Sequence, residues 1–122
     1  MGKMIMIVDD SASLRQVVGI ALKGAGYDVL EACDGKDALS KLTGQKVNLI
    51  VSDVNMPNMD GITMVQEVKK LPQYKFTPIM MLTTESEPDK KAAGKAAGAK
   101  AWLVKAVQPP TLLDAVSKLV LP

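Results

Sequence analysis

Three aspartates, a threonine and a lysine each follow a short apolar run. Asp9 and Asp10 follow Met4 to Val8, Asp53 follows Val47 to Ser52, Thr83 follows Pro78 to Leu82, and Lys105 follows Ala101 to Val104. Three carboxylates brought together repel one another, and all stay ionised only if a cation is shared or one takes up a proton. A hard divalent ion is the simplest remedy. Oxygen-only donors suit Mg²⁺, which takes one or two carboxylates, keeps several waters and accepts phosphate oxygens. With a metal holding a phosphoryl donor, one aspartate can act as nucleophile and become an aspartyl phosphate. A lysine and a hydroxyl placed beside it stabilise the charge that spreads over three equatorial oxygens during phosphoryl transfer.

The composition removes the main competitors. Histidine is absent and Cys33 is the single cysteine. The usual zinc sets, an intramolecular disulfide, a Ser-His or Cys-His pair and a histidine general base are therefore all excluded. Fifteen basic against thirteen acidic residues leave a formal charge of +2, too small to argue for direct nucleic-acid binding. Apolar runs of a few residues fall far short of the roughly 20 needed to cross a bilayer, and the N-terminus lacks a signal-peptide profile. The expectation is a cytoplasmic protein that touches no membrane. With 122 residues, 48% hydrophobic, it should form one domain with a core large enough to need no staple.

Five strands and five helices alternate in the pattern. Met4 to Val8 reads as a strand buried on both faces. Leu14, Val17, Val18, Ala21 and Leu22 then recur at helical spacing, with Ser11 or Ser13 as N-cap and Gly24 and Gly26 as stops. Tyr27 to Ala32 follows as a strand and Asp37 to Leu42 as a helix closed by Gly44, then Val47 to Ser52 as the third strand. Ile62 to Leu71 is an amphipathic helix burying Met64, Val65, Val68 and Leu71. Pro78 to Leu82 is the fourth strand, Pro88 to Ala97 an Ala-rich helix, Ala101 to Val104 the fifth strand and Thr111 to Val120 the last helix. Strict alternation points to an α/β fold, a parallel sheet covered on both faces with right-handed crossovers. In such sheets the ligand site lies beyond the carboxyl ends of the strands, where the five polar residues sit.

Each of these residues has an ordinary explanation alone. An Asp-Asp pair after a strand serves as a cap or turn, Asp53 as a loop carboxylate, a threonine as a turn former, and a lysine as a solvated charge. Their joint occurrence at successive strand ends favours chemistry.

Asp9-Asp10-Ser11, the segment from Asp53 to Gly61 (Asp-Val-Asn-Met-Pro-Asn-Met-Asp-Gly), Thr83 and Lys105 resemble the receiver domain of two-component response regulators, in particular the single-domain chemotaxis (CheY-like) type. The resemblance spans essentially the whole chain, residues 1–122. It implies a doubly wound (βα)5 flavodoxin-like domain with strand order 2-1-3-4-5, an order that the spacing alone does not supply. It further implies that Asp53 is the phosphoacceptor, and that Asp10, Asp53 and the backbone carbonyl of Asn55 ligate Mg²⁺ while Asp9 acts through a coordinated water. Thr83 would shift toward the phosphoryl group, Lys105 would pair with one of its oxygens, and Trp102 would sense the change. Asn55 and Glu85 occupy the positions that tune self-dephosphorylation, and their pairing implies a short-lived phosphoryl state. The implied partners are a sensor histidine kinase and a downstream target protein such as the flagellar motor switch. The implied working form is a monomer that catalyses only its own phosphorylation and dephosphorylation.

The chain departs from that pattern at Lys105-Ala106-Val107, where receivers carry Lys-Pro-Phe. A cis bond before a residue other than proline costs about 2.5 to 4 kcal/mol, so the Lys105-Ala106 bond is expected trans and the loop rearranged. Replacing the phenylalanine by Val107 removes apolar surface from a target-facing region. Trp102 stands where Tyr or Phe is more familiar, and its ordinary explanation, competing with the switch role, is a partly buried aromatic packing the last strand. Met4, Met6, Met80 and Met81 are expected to fill the core, and Cys33 to be a small buried hydrophobe. Lys90, Lys91, Lys95 and Lys100 read as a solvated basic stretch.

Three alternatives compete. The receiver could be part of a larger regulator, a phosphate sink or a relay intermediate. A haloacid-dehalogenase-like phosphatase also uses an aspartate nucleophile and Mg²⁺, but wants Asp-x-Asp and a cap insertion, for which this chain has no room. A nucleotide-binding module would need a Gly-rich phosphate cradle after the first strand, and neither G-x-G-x-x-G nor G-x-x-x-x-G-K-[ST] is there.

Overall fold

The computed structural model describes residues 3–54, 56, 58–83, 98–104 and 109–120. Five strands, β1 (Met4–Val8), β2 (Asp28–Ala32), β3 (Leu49–Asp53), β4 (Ile79–Thr83) and β5 (Ala101–Val104), form one sheet of order β2-β1-β3-β4-β5. Every neighbouring pair is parallel. Four helices are described: α1 (Ala12–Gly24), α2 (Gly35–Lys41), α3 (Gly61–Lys69) and α4 (Pro109–Leu119). The helix expected over Pro88 to Ala97 lies outside the described residues, as does the Lys105-Ala106 bond.

Sheet order explains the sequence pattern. Strands β1 and β3 lie inside the sheet and read as continuous apolar runs because both faces are covered. Ile5, Ile7, Leu49, Val51, Met80 and Leu82 pack on one side with Val18 and Leu22 of α1 and Leu112 and Val116 of α4. Met6, Val8, Ile50, Ile79 and Met81 pack on the other with Met64, Val65 and Val68 of α3. Edge strand β2 is covered incompletely, so Asp28 and Glu31 remain in water. Met6, Met80 and Met81 are fully buried, as expected of core methionines, and Met4 packs at the margin.

Of the two candidate caps for α1, Ser11 is the one used, its hydroxyl accepting from the Leu14 amide at 3.3 Å. Three expectations need correction. Val17 is 61% exposed and Ile20 64%; a helix advances about 100° per residue, so the face that seats Val18 and Leu22 turns Val17 outward. Helix α2 begins two residues before Asp37, at Gly35, because Asp34 is its N-cap and accepts from the Asp37 amide at 2.8 Å. Helix α3 ends at Lys69, with Leu71 beyond it, half-buried. At the end of the sheet remote from the strand C-termini, the buried Tyr74 hydroxyl donates to the Gln45 carbonyl at 2.8 Å and accepts from the Gly44 amide at 2.9 Å.

Candidate functional site

The ends of β1 and β3 deliver Asp9, Asp10 and Asp53 to one place. One carboxylate oxygen from each lies within 4.8 Å of the others, with Asp9 and Asp53 buried and Asp10 exposed. Adjacent pairing of β1 with β3 causes this: Val8 faces Ser52 in the register, so the residues that follow must meet beyond the sheet edge. Asp9 is 2% and Asp53 4% exposed. Burying carboxylates at such spacing is tolerable only with compensating donors or a cation. Oxygen-only donors at this separation fit a hard divalent ion such as Mg²⁺.

The backbone around the acids is pinned. The Asp9 amide donates to the Ala32 carbonyl at 3.1 Å, and the Ser11 amide donates to Asp9 Oδ1 at 2.8 Å. Arg15, one turn into α1, donates from Nη1 to the Asp9 carbonyl and from Nε to Glu31 Oε1 at 3.2 Å, joining β2 to the acidic turn. Asp53 Oδ1 accepts from the Val54 amide at 2.7 Å, and its carbonyl accepts from the Ser52 hydroxyl at 2.9 Å. Gly61 closes the loop that leaves Asp53, its amide donating to the Val54 carbonyl at 2.8 Å. A Cβ there would stand 2.1 Å from the Asp53 carbonyl oxygen, so only glycine admits this approach.

Thr83 ends β4, one position beyond Leu82, the register partner of Asp53, and faces Val104 across β4 and β5. Its backbone thus reaches the same sheet edge. Trp102 pairs with Met81, two residues before Thr83, and packs partly buried against the α3 side of the core. Its buried indole N–H has no hydrogen-bond partner among the described residues. Asn55, Glu85 and Lys105 lie outside the described residues.

Beside the acids, Cys33 is exposed rather than buried, because it lies just past the end of edge strand β2. Desolvation by its neighbours, then the charges of Asp34 and Asp37, hold its thiol above the ordinary value and so make it less nucleophilic at neutral pH. Asp34 and Asp37 are held below the usual carboxylate range. For Asp34 the Asp37 amide and then the Asn58 side chain are responsible; for Asp37 the Cys33 amide comes first, with Lys41 also contributing. Sequence reasoning did not single out Arg15, Asp34 or Asn58. The available signal was an asparagine inside the loop between Asp53 and Gly61, since Asn58 adopts φ 66°, a conformation asparagine tolerates better than most residues.

Residues 5–117 match the family described as response regulator receiver domain. The chain is similar to protein PilG of Pseudomonas aeruginosa, 35% identical over 94% of this chain and 85% of that protein. It is also similar to the alkaline phosphatase synthesis transcriptional regulatory protein PhoP of Bacillus subtilis, 38% identical over 89% of this chain, although it spans only 45% of that longer regulator. Among solved structures, the chemotaxis protein CheY4 of Vibrio cholerae superposes with a TM-score of 0.94 at 48% identity, over 98% of this chain and 100% of that one. Among the described residues, no helix is long and apolar enough to cross a membrane.

Proposed function

The chain belongs to the response regulator receiver domain family, a family of signalling switches in two-component systems, and from that premise we propose that it is a phosphorylation-dependent switch of chemotaxis type, charged at Asp53. One observation carries the reading: a buried Asp53 with Asp9 and Asp10 within 4.8 Å at the carboxyl edge of a parallel sheet. A sensor histidine kinase supplies the phosphoryl group. An oxygen of Asp53 bonds to phosphorus, the P–N bond of the phosphohistidine breaks, and the leaving imidazole nitrogen takes up a proton. Asp10, Asp53 and the Asn55 carbonyl would hold Mg²⁺, and Asp9 would act through a coordinated water. The ion, when bound, neutralises charge on the phosphoryl oxygens. Thr83 donates its hydroxyl to one of those oxygens and Lys105 pairs with another.

The pairing of Trp102 with Met81, two residues before Thr83, supports coupling of the phosphoryl site to β5 and to a partner-binding face. Asn55 and Glu85 tune the lifetime of the aspartyl phosphate. The likeness to a chemotaxis protein favours a downstream target such as the flagellar motor switch, reached by a cytoplasmic monomer that binds neither nucleic acid directly nor membrane. The family match favours this reading over a haloacid-dehalogenase-like phosphatase. A second reading keeps the receiver and changes its setting: the curated regulators of which this chain spans under half favour a receiver unit within a longer protein, and the same site also serves a phosphate sink or relay.

Trp102 is the sole tryptophan and supplies the test. Mg²⁺ and then beryllofluoride, an acyl-phosphate mimic, should each change its fluorescence, and both changes should vanish in Asp53→Ala. A flat signal from a folded sample contradicts the proposal.

A further inference from the structure

The loop from Asp53 to Gly61 is fastened at two places. Its exit is fixed by the contact of Gly61 with the Asp53 carbonyl. Its crest is held by the turn between β2 and α2. There the Asn58 side-chain amide donates to Asp34 Oδ2 at 2.8 Å, while Asp34 Oδ1 accepts from the Asp37 amide at 2.8 Å. Asp34 is 7% exposed, so its two oxygens are largely committed to these donors. Alongside, the Gly35 amide donates to the Met59 carbonyl at 3.3 Å, and a Cβ on Gly35 would stand 2.7 to 2.9 Å from Met59. The α2 terminus therefore lies flush against the crest.

We propose that Asp34 and Asn58 form a latch that positions the acceptor loop, so that Asp34, which reaches the site only through Asn58, is a positioning residue for metal binding and phosphoryl acceptance. The inference rests on the reading of Asp53 as acceptor. Loop geometry is the quantity the latch controls: Asn58 follows Asp53 by five residues, Asn55 lies between them in sequence, and the Val54 and Gly61 amides bond within the span. A hydrogen bond to a charged acceptor is among the stronger neutral–charged contacts, and Asn58 supplies it from a left-handed backbone position that a freely moving loop would seldom hold.

Chemistry allows a clean dissection. Asn58→Gly keeps the positive φ and deletes only the side chain. Asn58→Asp sets two carboxylates face to face. The double exchange Asp34→Asn with Asn58→Asp restores one donor and one acceptor with the partners reversed, and both Asn and Asp cap helices well. Mg²⁺ affinity, read from Trp102 fluorescence, should fall about tenfold in Asn58→Gly and further in Asn58→Asp, in keeping with outer-shell partners at metal sites. The double exchange should return it to within about twofold of the starting protein, since exchange restores the lost donor–acceptor match.

Amide hydrogen exchange in the metal-free protein gives a readout independent of the metal and of phosphoryl transfer. Val54 and Gly61 should exchange about tenfold faster in Asn58→Gly, while Leu42 at the far end of α2 is unchanged, the pattern of local opening. Unaltered Mg²⁺ affinity and unaltered Val54 and Gly61 exchange in Asn58→Asp, or failure of the double exchange to rescue either, overturn the latch. A starting protein that never takes up a phosphoryl group overturns the proposed function, and the exchange pattern still decides the latch.

Discussion

Replacing Gly61 by alanine probes the tightest contact at the site. The added Cβ would stand 2.1 Å from the Asp53 carbonyl oxygen and 2.7 Å from Met81 Cε, where ordinary contact begins at 3.4 Å. The methionine can retreat by rotation, but the carbonyl belongs to the last residue of β3 and cannot move without moving Asp53. Overpacking of this kind costs about 1 to 3 kcal/mol, and a backbone obstacle puts it in the upper half of that range. Against it stands the gain of about 0.5 to 1 kcal/mol from removing glycine from a helix. A net loss of about 2 kcal/mol should lower Tm by roughly 8 °C in a domain of this size. The assay is urea and thermal unfolding followed by Trp102 fluorescence and circular dichroism, with Gly24→Ala as comparison. Gly24 has nothing within 4 Å of its hypothetical Cβ, so that variant should be no less stable than the starting protein. Gly61→Ala within about 0.5 kcal/mol of the starting protein, the range of ordinary surface changes, would refute the reasoning, as would an equal loss in Gly24→Ala.

Two further outcomes follow from burial and charge. Leu22→Ala, at a fully buried position of α1, should cost about 2 to 5 kcal/mol in urea unfolding, while Val17→Ser on the exposed side of the same helix should stay within about 0.5 kcal/mol. The pKa values of Asp34 and Asp37 are depressed in the folded protein, so the stability they contribute is present above the ordinary carboxylate value of about 3.9 and is lost as pH falls through their lower folded values. Stability measured by urea unfolding should therefore drop below about pH 4, with a shallower acid limb in Asp34→Asn.

Much of the architecture was legible because burial leaves a period in the chain. Interior strands carry Ile5 to Val8 and Leu49 to Val51 without a polar break, and the acids that follow, Asp9 directly and Asp53 after the buried Ser52, mark where the sheet ends. Neither strand order nor spatial convergence is written in such runs, since any order of buried parallel strands would read alike; here the order came through family likeness. Val17 was misplaced because an apolar residue next to Val18 satisfies a coarse helical spacing while lying about 100° around the axis. The start of α2 was missed because Asp34-Gly35 reads equally well as a turn, and only the Asp37 amide on Asp34 shows it to be a cap. Cys33 looked like core from its type alone, but its position past edge strand β2 leaves it in water. The Asp34 and Asn58 contact joins residues 24 apart, and no local pattern reports a bond made only after two strand ends have been brought together.

The most direct test is mass analysis of the protein after incubation with a small acyl phosphate, with and without Mg²⁺. The account predicts one added phosphoryl group, mapped to Asp53, formed only with the metal and lost in Asp53→Ala. Labelling that is independent of Mg²⁺, or that persists in Asp53→Ala, would contradict it.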